Sequence, residues 1–192
     1  MKTSAIILSG GQGSRLGYIE KGLLTINGET LIENKIKQLR PRFSEIIVVT
    51  NKPELYGNLP PDIKIIQDEE PYRGPLPGLY YGLKASSGNQ NFLTAVDMPY
   101  FNSDLVNHYA SFIDKYEIVV FRNDKFIEPF CAFYATALVS KIEKLMESGQ
   151  SSLKALVKTA NTMYIERNTV ESFDPEFRAF FNINTPDELN NL

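Results

Sequence analysis

Short, mostly apolar runs recur along the chain and alternate with stretches whose apolar residues fall three or four apart. The runs are Ala5 to Leu8, Ile46 to Val49, Ile63 to Ile66, Phe92 to Val96 and Ile118 to Phe121. A strand covered on both faces reads as continuous rather than alternating hydrophobicity, so each run predicts a buried strand. Thr30 to Leu39 carries Leu31, Ile32, Ile36 and Leu39 near helical spacing and is closed by Pro41. Leu79 to Ala85 and Ser103 to Ile113 predict two further helices, the second with a stripe of Leu105, Val106, Tyr109 and Phe112. In the last third, Phe130 to Ala135 predicts a strand, Ala137 to Met146 and Leu153 to Val157 two helices, and Phe180 to Asn184 a strand end. Thr185-Pro186-Asp187-Glu188 combines a capping Thr, a first-turn Pro and acids, a helix start that taken alone is only a cap.

This alternation implies an α/β fold of three layers, α/β/α, around a mostly parallel, Rossmann-like sheet. Right-handed crossovers would bring every strand's C-terminal end to one edge, where such folds bind ligands. The polar residues expected there are Ser9-Gly10-Gly11, Asn51, Asp68 and Asp97. Asn51-Lys52-Pro53 also reads as a plain turn, and Asp68 to Glu70 as a solvated acidic loop.

Composition narrows the chemistry. A length of 192 residues suggests one domain, residues 1–192. Twenty Lys and Arg against 23 Asp and Glu give a net charge of −3, which argues against a nucleic-acid partner. The longest apolar run has six residues, against roughly 20 for a membrane span, and the opening apolar stretch is too short for a signal peptide. A cytoplasmic, membrane-free protein is expected. One Cys and one His cannot close a zinc site, so a divalent metal would need oxygen ligands. Cys131 reads as a buried small residue and His108 as a helix-surface residue.

Four glycines fall within eight residues between Gly10 and Gly17, directly after the first strand, and are joined by Arg15 and Lys21. Glycine lets backbone N–H groups approach a ligand, and the two cations suit a polyphosphate. The segment is not a P-loop, because Lys21 precedes Gly22 and no Ser or Thr follows in place. It is not the dinucleotide fingerprint either, because Leu16 stands where the third Gly belongs.

Leu8-Ser9-Gly10-Gly11 through Arg15, Leu16, Gly17 and Lys21 resembles the signature loop of nucleotidyltransferases with the GT-A-like fold, also called nucleotide-diphospho-sugar transferases. Four later segments resemble the molybdenum cofactor guanylyltransferases, the MobA family. They are Asp68 with Gly74-Pro75-Leu76-Pro77-Gly78-Leu79, Val96-Asp97-Met98-Pro99-Tyr100, Glu128-Pro129-Phe130, and Phe181-Asn182-Ile183-Asn184-Thr185-Pro186. Leu16 departs from the commoner Met, Ser9 from Ala and Glu20 from Asp; none removes a charge that the chemistry needs.

The resemblance implies transfer of GMP from GTP to the terminal phosphate of molybdenum-bearing molybdopterin, with pyrophosphate leaving. A phosphate nucleophile is already ionised, so positioning and charge neutralisation suffice. It implies Arg15 and Lys21 on the phosphates and Asp97 on a Mg²⁺ ion. The nucleotide would meet Leu8, Ser9, Gly10, Gly11, Asn51 and Asp68, with Gly74, Pro75 and Gly78 forming a wall. Residues 1–100 would be the nucleotide-binding half and residues 101–192 the acceptor-binding half. Arg73, Glu128, Asn182 and Asn184 are candidates for the acceptor, and Gln150-Ser151-Ser152 for closing the pocket. The resemblance also implies partner proteins that deliver molybdopterin and receive the finished cofactor. A monomer or weak homo-oligomer is the expected assembly. Alternatives are a sister enzyme using CTP or a sugar-phosphate acceptor, and a non-catalytic nucleotide-binding module.

Overall fold

The apolar runs form a single sheet. The computed structural model describes residues 2–10, 20–70, 73–124 and 126–190. Its strands are β1 (Thr3–Leu8), a small hairpin of β2 (Thr25–Ile26) and β3 (Glu29–Thr30), β4 (Ile46–Thr50), β5 (Lys64–Gln67), β6 (Gln90–Ala95), β7 (Ile118–Asn123), β8 (Phe126–Ala135) and β9 (Thr162–Glu166). Asn27 and Gly28, both with positive φ, make the tight turn of the small hairpin. The main sheet has the order β5-β4-β1-β6-β8-β7-β9. β1 pairs in parallel with β4 and β6, β4 with β5, and β7 with β9.

The helices are α1 (Leu31–Leu39), α2 (Pro75–Ala85), α3 (Ser103–Ala110), α4 (Val139–Glu147), α5 (Leu153–Thr159), α6 (Arg167–Phe173) and α7 (Pro186–Asn190). Alternation along β1 sends Ala5 and Ile7 to the face packed by α1, α3 and α6, and Ile6 to the face packed by α2, α4 and α5. These are the three expected layers. Helix α1 starts on a reciprocal cap: Glu33 N donates to Thr30 Oγ1 at 3.3 Å, and Thr30 N donates to Glu33 Oε2 at 2.9 Å. No helix among the described residues is long and apolar enough to cross a membrane.

The structure departs from the sequence expectations at four points. First, β8 runs antiparallel to both neighbours, so the strand expected at Phe130 to Ala135 opposes the others and begins earlier, as the return arm of a hairpin from β7. The Glu128-Pro129 pair breaks its apolar run and hides that start. Its register against β7 shifts there, and Cys131 adopts φ 52 within the irregularity. Second, Phe180 to Asn184 is no strand; Arg178–Phe180 forms one 3-10 turn and residues 181–184 continue as irregular backbone. Third, β9 and α6 carry mixed polar and apolar residues, so no continuous run announces them. Fourth, His108 is half-buried rather than a surface residue, its ring 5.3 Å from Phe112 and 5.0 Å from Phe173. Cys131 is buried, as expected, and burial pushes its thiol up to about 12.

Helix α2 starts at Pro75 rather than Leu79 and lies close on β1 because glycine faces the strand. A Cβ on Gly82 would sit 2.7 Å from Ile6 Cγ2, and one on Gly78 3.2 Å from Leu8 Cδ2. Gly82→Ala should therefore destabilise the protein by about 1–3 kcal/mol and lower the melting temperature by roughly 3–10 °C. Gly57→Ala, where nothing lies within 4 Å of the added Cβ, is the control. Equal melting temperatures for the two variants would contradict the close approach of α2.

Candidate functional site

Four parallel strands, β1, β4, β5 and β6, end side by side. Their hydrogen-bond ladder continues past the strands and fixes the residues just beyond them: Ser9 N donates to Val49 O at 2.8 Å, Asp68 N to Thr50 O at 2.9 Å and Val96 N to Leu8 O at 3.0 Å. Ser9-Gly10, Asn51, Asp68 and Asp97 thus leave the sheet on one edge. The reversed β8 brings Glu128 to the same edge at its N-terminal end, opposite Phe121 of β7.

Lys21 begins the 3-10 turn Lys21–Leu23 and joins three parts of the chain. Its Nζ donates to Asp97 Oδ2 at 2.7 Å and to Ile183 O at 3.0 Å, while Ile183 N donates to Asp97 O at 2.8 Å. The lysine and aspartate side chains are only 24% and 19% exposed, so the pair is more than a surface contact. The Lys21 turn is seated by a second network. Ser9 Oγ and Tyr56 OH are 2.6 Å apart, Tyr56 OH donates to Glu20 Oε1 at 3.2 Å, and Lys52 Nζ lies 3.6 Å from Glu20 Oε2. Gly22 closes on this network: a Cβ there would stand 2.5 Å from Tyr56 OH and 2.6 Å from Ser9 Oγ.

Beside the loop, Asn51 Oδ1 is buried with no hydrogen-bond partner among the described residues, 3.2 Å from where a Gly10 Cβ would be. Asp68 Oδ1 accepts from Glu70 N at 3.0 Å, and Asp68 Oδ2 lies 3.8 Å from a Cβ built on Gly78. Burial raises the Asp68 carboxyl pKa, partly offset by that N–H bond. Gly74 takes φ 90, and a Cβ there would meet Ser151 O at 2.8 Å; Leu76 N donates to the same carbonyl at 3.2 Å. The Gly74-Pro75 wall is thus joined to the Gln150-Ser151-Ser152 segment, whose Ser152 caps α5.

The acceptor candidates are spread more widely. Asn182 and Asn184 flank Ile183 and stabilise their own turn: Asn182 Nδ2 donates to Phe180 O, and Asn184 Nδ2 to Asn182 O. Glu128 is buried; desolvation raises its pKa, Phe130 N–H and Lys154 oppose the rise, and the Asp97 charge adds to it. Arg73 stands at the outer rim, paired with Glu70 at 2.5 Å. Gly11 and Arg15 lie outside the described residues. Among the described residues, no three His, Cys, Asp or Glu side chains group to hold a metal.

Tyr56 and Lys35 carry no motif that singles them out in the sequence. Tyr56 sits in a short polar turn that gives no signal. Lys35 leaves a faint one: it occupies a core position of α1, three after Ile32 and four before Leu39. Its side chain is buried, and Nζ reaches Tyr100 O at 3.4 Å. Burial lowers its pKa to about 8, outweighing the Cys131 and Asp97 charges that favour the ammonium. The unfolded chain then binds more protons than the folded one between about pH 8 and the ordinary 10.5, so stability from this group rises with pH across that window. The unfolding free energy of the native chain relative to Lys35→Met should rise by about 3 kcal/mol from about pH 7 to pH 10.5 in chemical denaturation. A pH-independent difference would contradict the buried ammonium.

Known proteins resemble this chain over nearly its whole length. The family described as MobA-like NTP transferase domain matches residues 5–164. A protein of Peptoclostridium acidaminophilum named probable molybdenum cofactor guanylyltransferase is 37% identical over 193 residues, covering 97% of this chain and 86% of its own length. The molybdenum cofactor guanylyltransferase of Syntrophotalea carbinolica is 34% identical, covering 97% of this chain and 88% of its own. The crystal structure of molybdopterin-guanine dinucleotide biosynthesis protein A from Archaeoglobus fulgidus superposes with a TM-score of 0.81 at 24% identity, over 97% of this chain and 94% of that one, and so shares the fold.

Proposed function

Because the chain belongs to the MobA-like NTP transferase family, we propose that it transfers GMP from GTP to the terminal phosphate of molybdenum-bearing molybdopterin, with release of pyrophosphate. The observation that carries this reading is the Lys21–Asp97–Ile183 junction, where the glycine-loop lysine, the β6 aspartate and the Asn182–Asn184 segment converge. A phosphoryl-transfer site needs cations and acceptor contacts at one point, and here they share one lysine.

In the reaction, an oxygen of the acceptor phosphate attacks the α-phosphorus of GTP. The bond from that phosphorus to the β-phosphate bridging oxygen breaks, and pyrophosphate carries away the electron pair. The nucleophile is ionised at neutral pH, so no residue has to remove a proton. Lys21 would turn its ammonium to the phosphates, and Arg15 would add a second cation. A single strand-end carboxylate with substrate oxygens is a donor set that suits Mg²⁺, and Asp97 would hold it. When bound, magnesium would neutralise charge on the phosphates. Guanine offers N1–H and amino donors on its pairing edge; Asn51 Oδ1 and the Asp68 carboxylate are acceptors beside Gly10 and Gly78. Leu8, Ser9, Gly10 and Gly11 would line the nucleotide, with Gly74 and Pro75 as the wall. The enzyme would work in the cytoplasm, as a monomer or weak homo-oligomer, with partner proteins that bring molybdopterin and take the product.

Asp97→Ala and Lys21→Ala should each lower kcat for pyrophosphate release by about 10²-fold or more while circular dichroism stays native. Turnover within a few-fold of the parent would refute the assignment. Asn51→Leu should raise the KM for GTP about tenfold, since one buried hydrogen bond is lost. In a nucleotide panel with Mg²⁺, GTP should raise the melting temperature more than CTP; the reverse order would point to cytidylyl transfer.

A further inference from the structure

A cleft of about 490 Å³ opens beside the junction, lined by Tyr100, Phe177, Phe180, Phe181, Arg178, Glu176 and Glu188. That volume suits a small organic ligand. Its walls join it to the proposed reaction centre. Tyr100 follows Asp97 by three positions, so their Cα atoms are at most about 11 Å apart. Phe181 adjoins Asn182, and Glu188 lies close enough to Lys21 for the ammonium to help lower its pKa, after the larger effect of the Asn184 N–H bond.

The cleft is built rather than incidental. Buried Asp174 shapes its loop, with Oδ2 accepting Ala179 N at 2.8 Å and the main-chain oxygen accepting Phe177 N at 3.0 Å. Phe177 is held at φ 55, a conformation that costs energy for a bulky residue. Phe180 stacks on core Phe121 at 4.6 Å, and Phe177 lies 5.8 Å from the same ring. Phe177, Phe180 and Phe181 are half-exposed, with the Arg167 guanidinium 4.8 Å from the Phe177 ring centroid and that of Arg178 4.2 Å from the Tyr100 centroid. Two carboxylates stand at the wall. Glu188 Oε2 is anchored by Asn184 N at 2.7 Å and Thr185 N at 2.9 Å, and Glu176 is exposed, 3.9 Å from Arg178 Nε.

We propose that this cleft receives the pterin ring system of the acceptor, stacked on the aromatic side chains with its amino-pyrimidinone N–H edge toward Glu176 and Glu188. The ring and phosphate of one molecule would then span from the cleft to Asp97. The assignment rests on the guanylyl-transfer reading, which supplies the acceptor, but the cleft itself can be tested without turnover.

The probe is 6-hydroxymethylpterin, whose own fluorescence reports binding to the full chain. The native protein should bind it, and Glu176→Gln and Phe177→Leu should each weaken binding about fivefold or more. Both variants should raise the KM for molybdopterin in parallel and leave the KM for GTP unchanged. No pterin binding by the native chain, or binding by both variants as tight as the native chain's, would overturn the proposal. If GMP transfer proceeds with an unchanged molybdopterin KM in both variants, the cleft assignment fails and the transfer reading stands. If pterin binding depends on both side chains but no GMP is transferred, the cleft stands and the transfer reading fails. Glu176 is exposed, so its variant keeps the test valid should Phe177→Leu fold poorly.

Discussion

One ammonium group organises the candidate site. Lys21 Nζ bonds Asp97 and the carbonyl of Ile183, a residue 162 positions later in the chain. Ile183 answers through its own N–H to the Asp97 carbonyl. Other contacts seat the turn after the glycine loop, the end of β6 and the C-terminal segment separately, but this junction ties the three together. With it, they meet within hydrogen-bond distance. A charge pair this far withdrawn from water depends on its partners, since either charge left alone would be poorly solvated. In the proposed reaction, a polyphosphate would offer Lys21 stronger acceptors than one carboxylate.

The sheet explains why the junction can exist. Four parallel strands present their C-terminal ends together, which is the usual ligand edge of such folds. The one reversed strand, β8, delivers its N-terminal end to that edge and places Glu128 there, so the second half of the chain contributes without a further parallel crossover. Glycines supply the close approaches. Gly22 admits Tyr56 and Ser9 beneath the Lys21 turn, and Gly74 admits the Ser151 carbonyl against the wall.

Much of this architecture is legible in the sequence, for physical reasons that differ by element. The buried runs at Ala5, Ile46, Phe92 and Ile118 announce the central strands because both faces are covered. The capped start of α1 at Thr30 is legible because capping is local. The direction of β8 is not, since strand polarity is set by the hairpin turn and not by hydrophobicity. Nor is β9, an edge strand whose side chains are mixed. In the site, positions after strands are readable from topology, which is how Asn51, Asp68 and Asp97 stand out. Tyr56 and Lys35 do not, because they act through partners 47 and 65 positions away, and no spacing rule reaches so far. Asn182 and Asn184 read as strand residues; irregular backbone around Ile183 leaves their sides to be set by local hydrogen bonds instead.

The most direct measurement is a crystal structure with GTP and Mn²⁺, using anomalous scattering to locate the metal. The expected result is manganese on the Asp97 carboxylate and the nucleotide phosphates, guanine beside Asn51 and Asp68, and Lys21 Nζ moved from Asp97 to the triphosphate. Manganese bound away from Asp97, or a nucleotide bound with the Lys21–Asp97 pair intact and distant from its phosphates, would contradict the central role given to this junction.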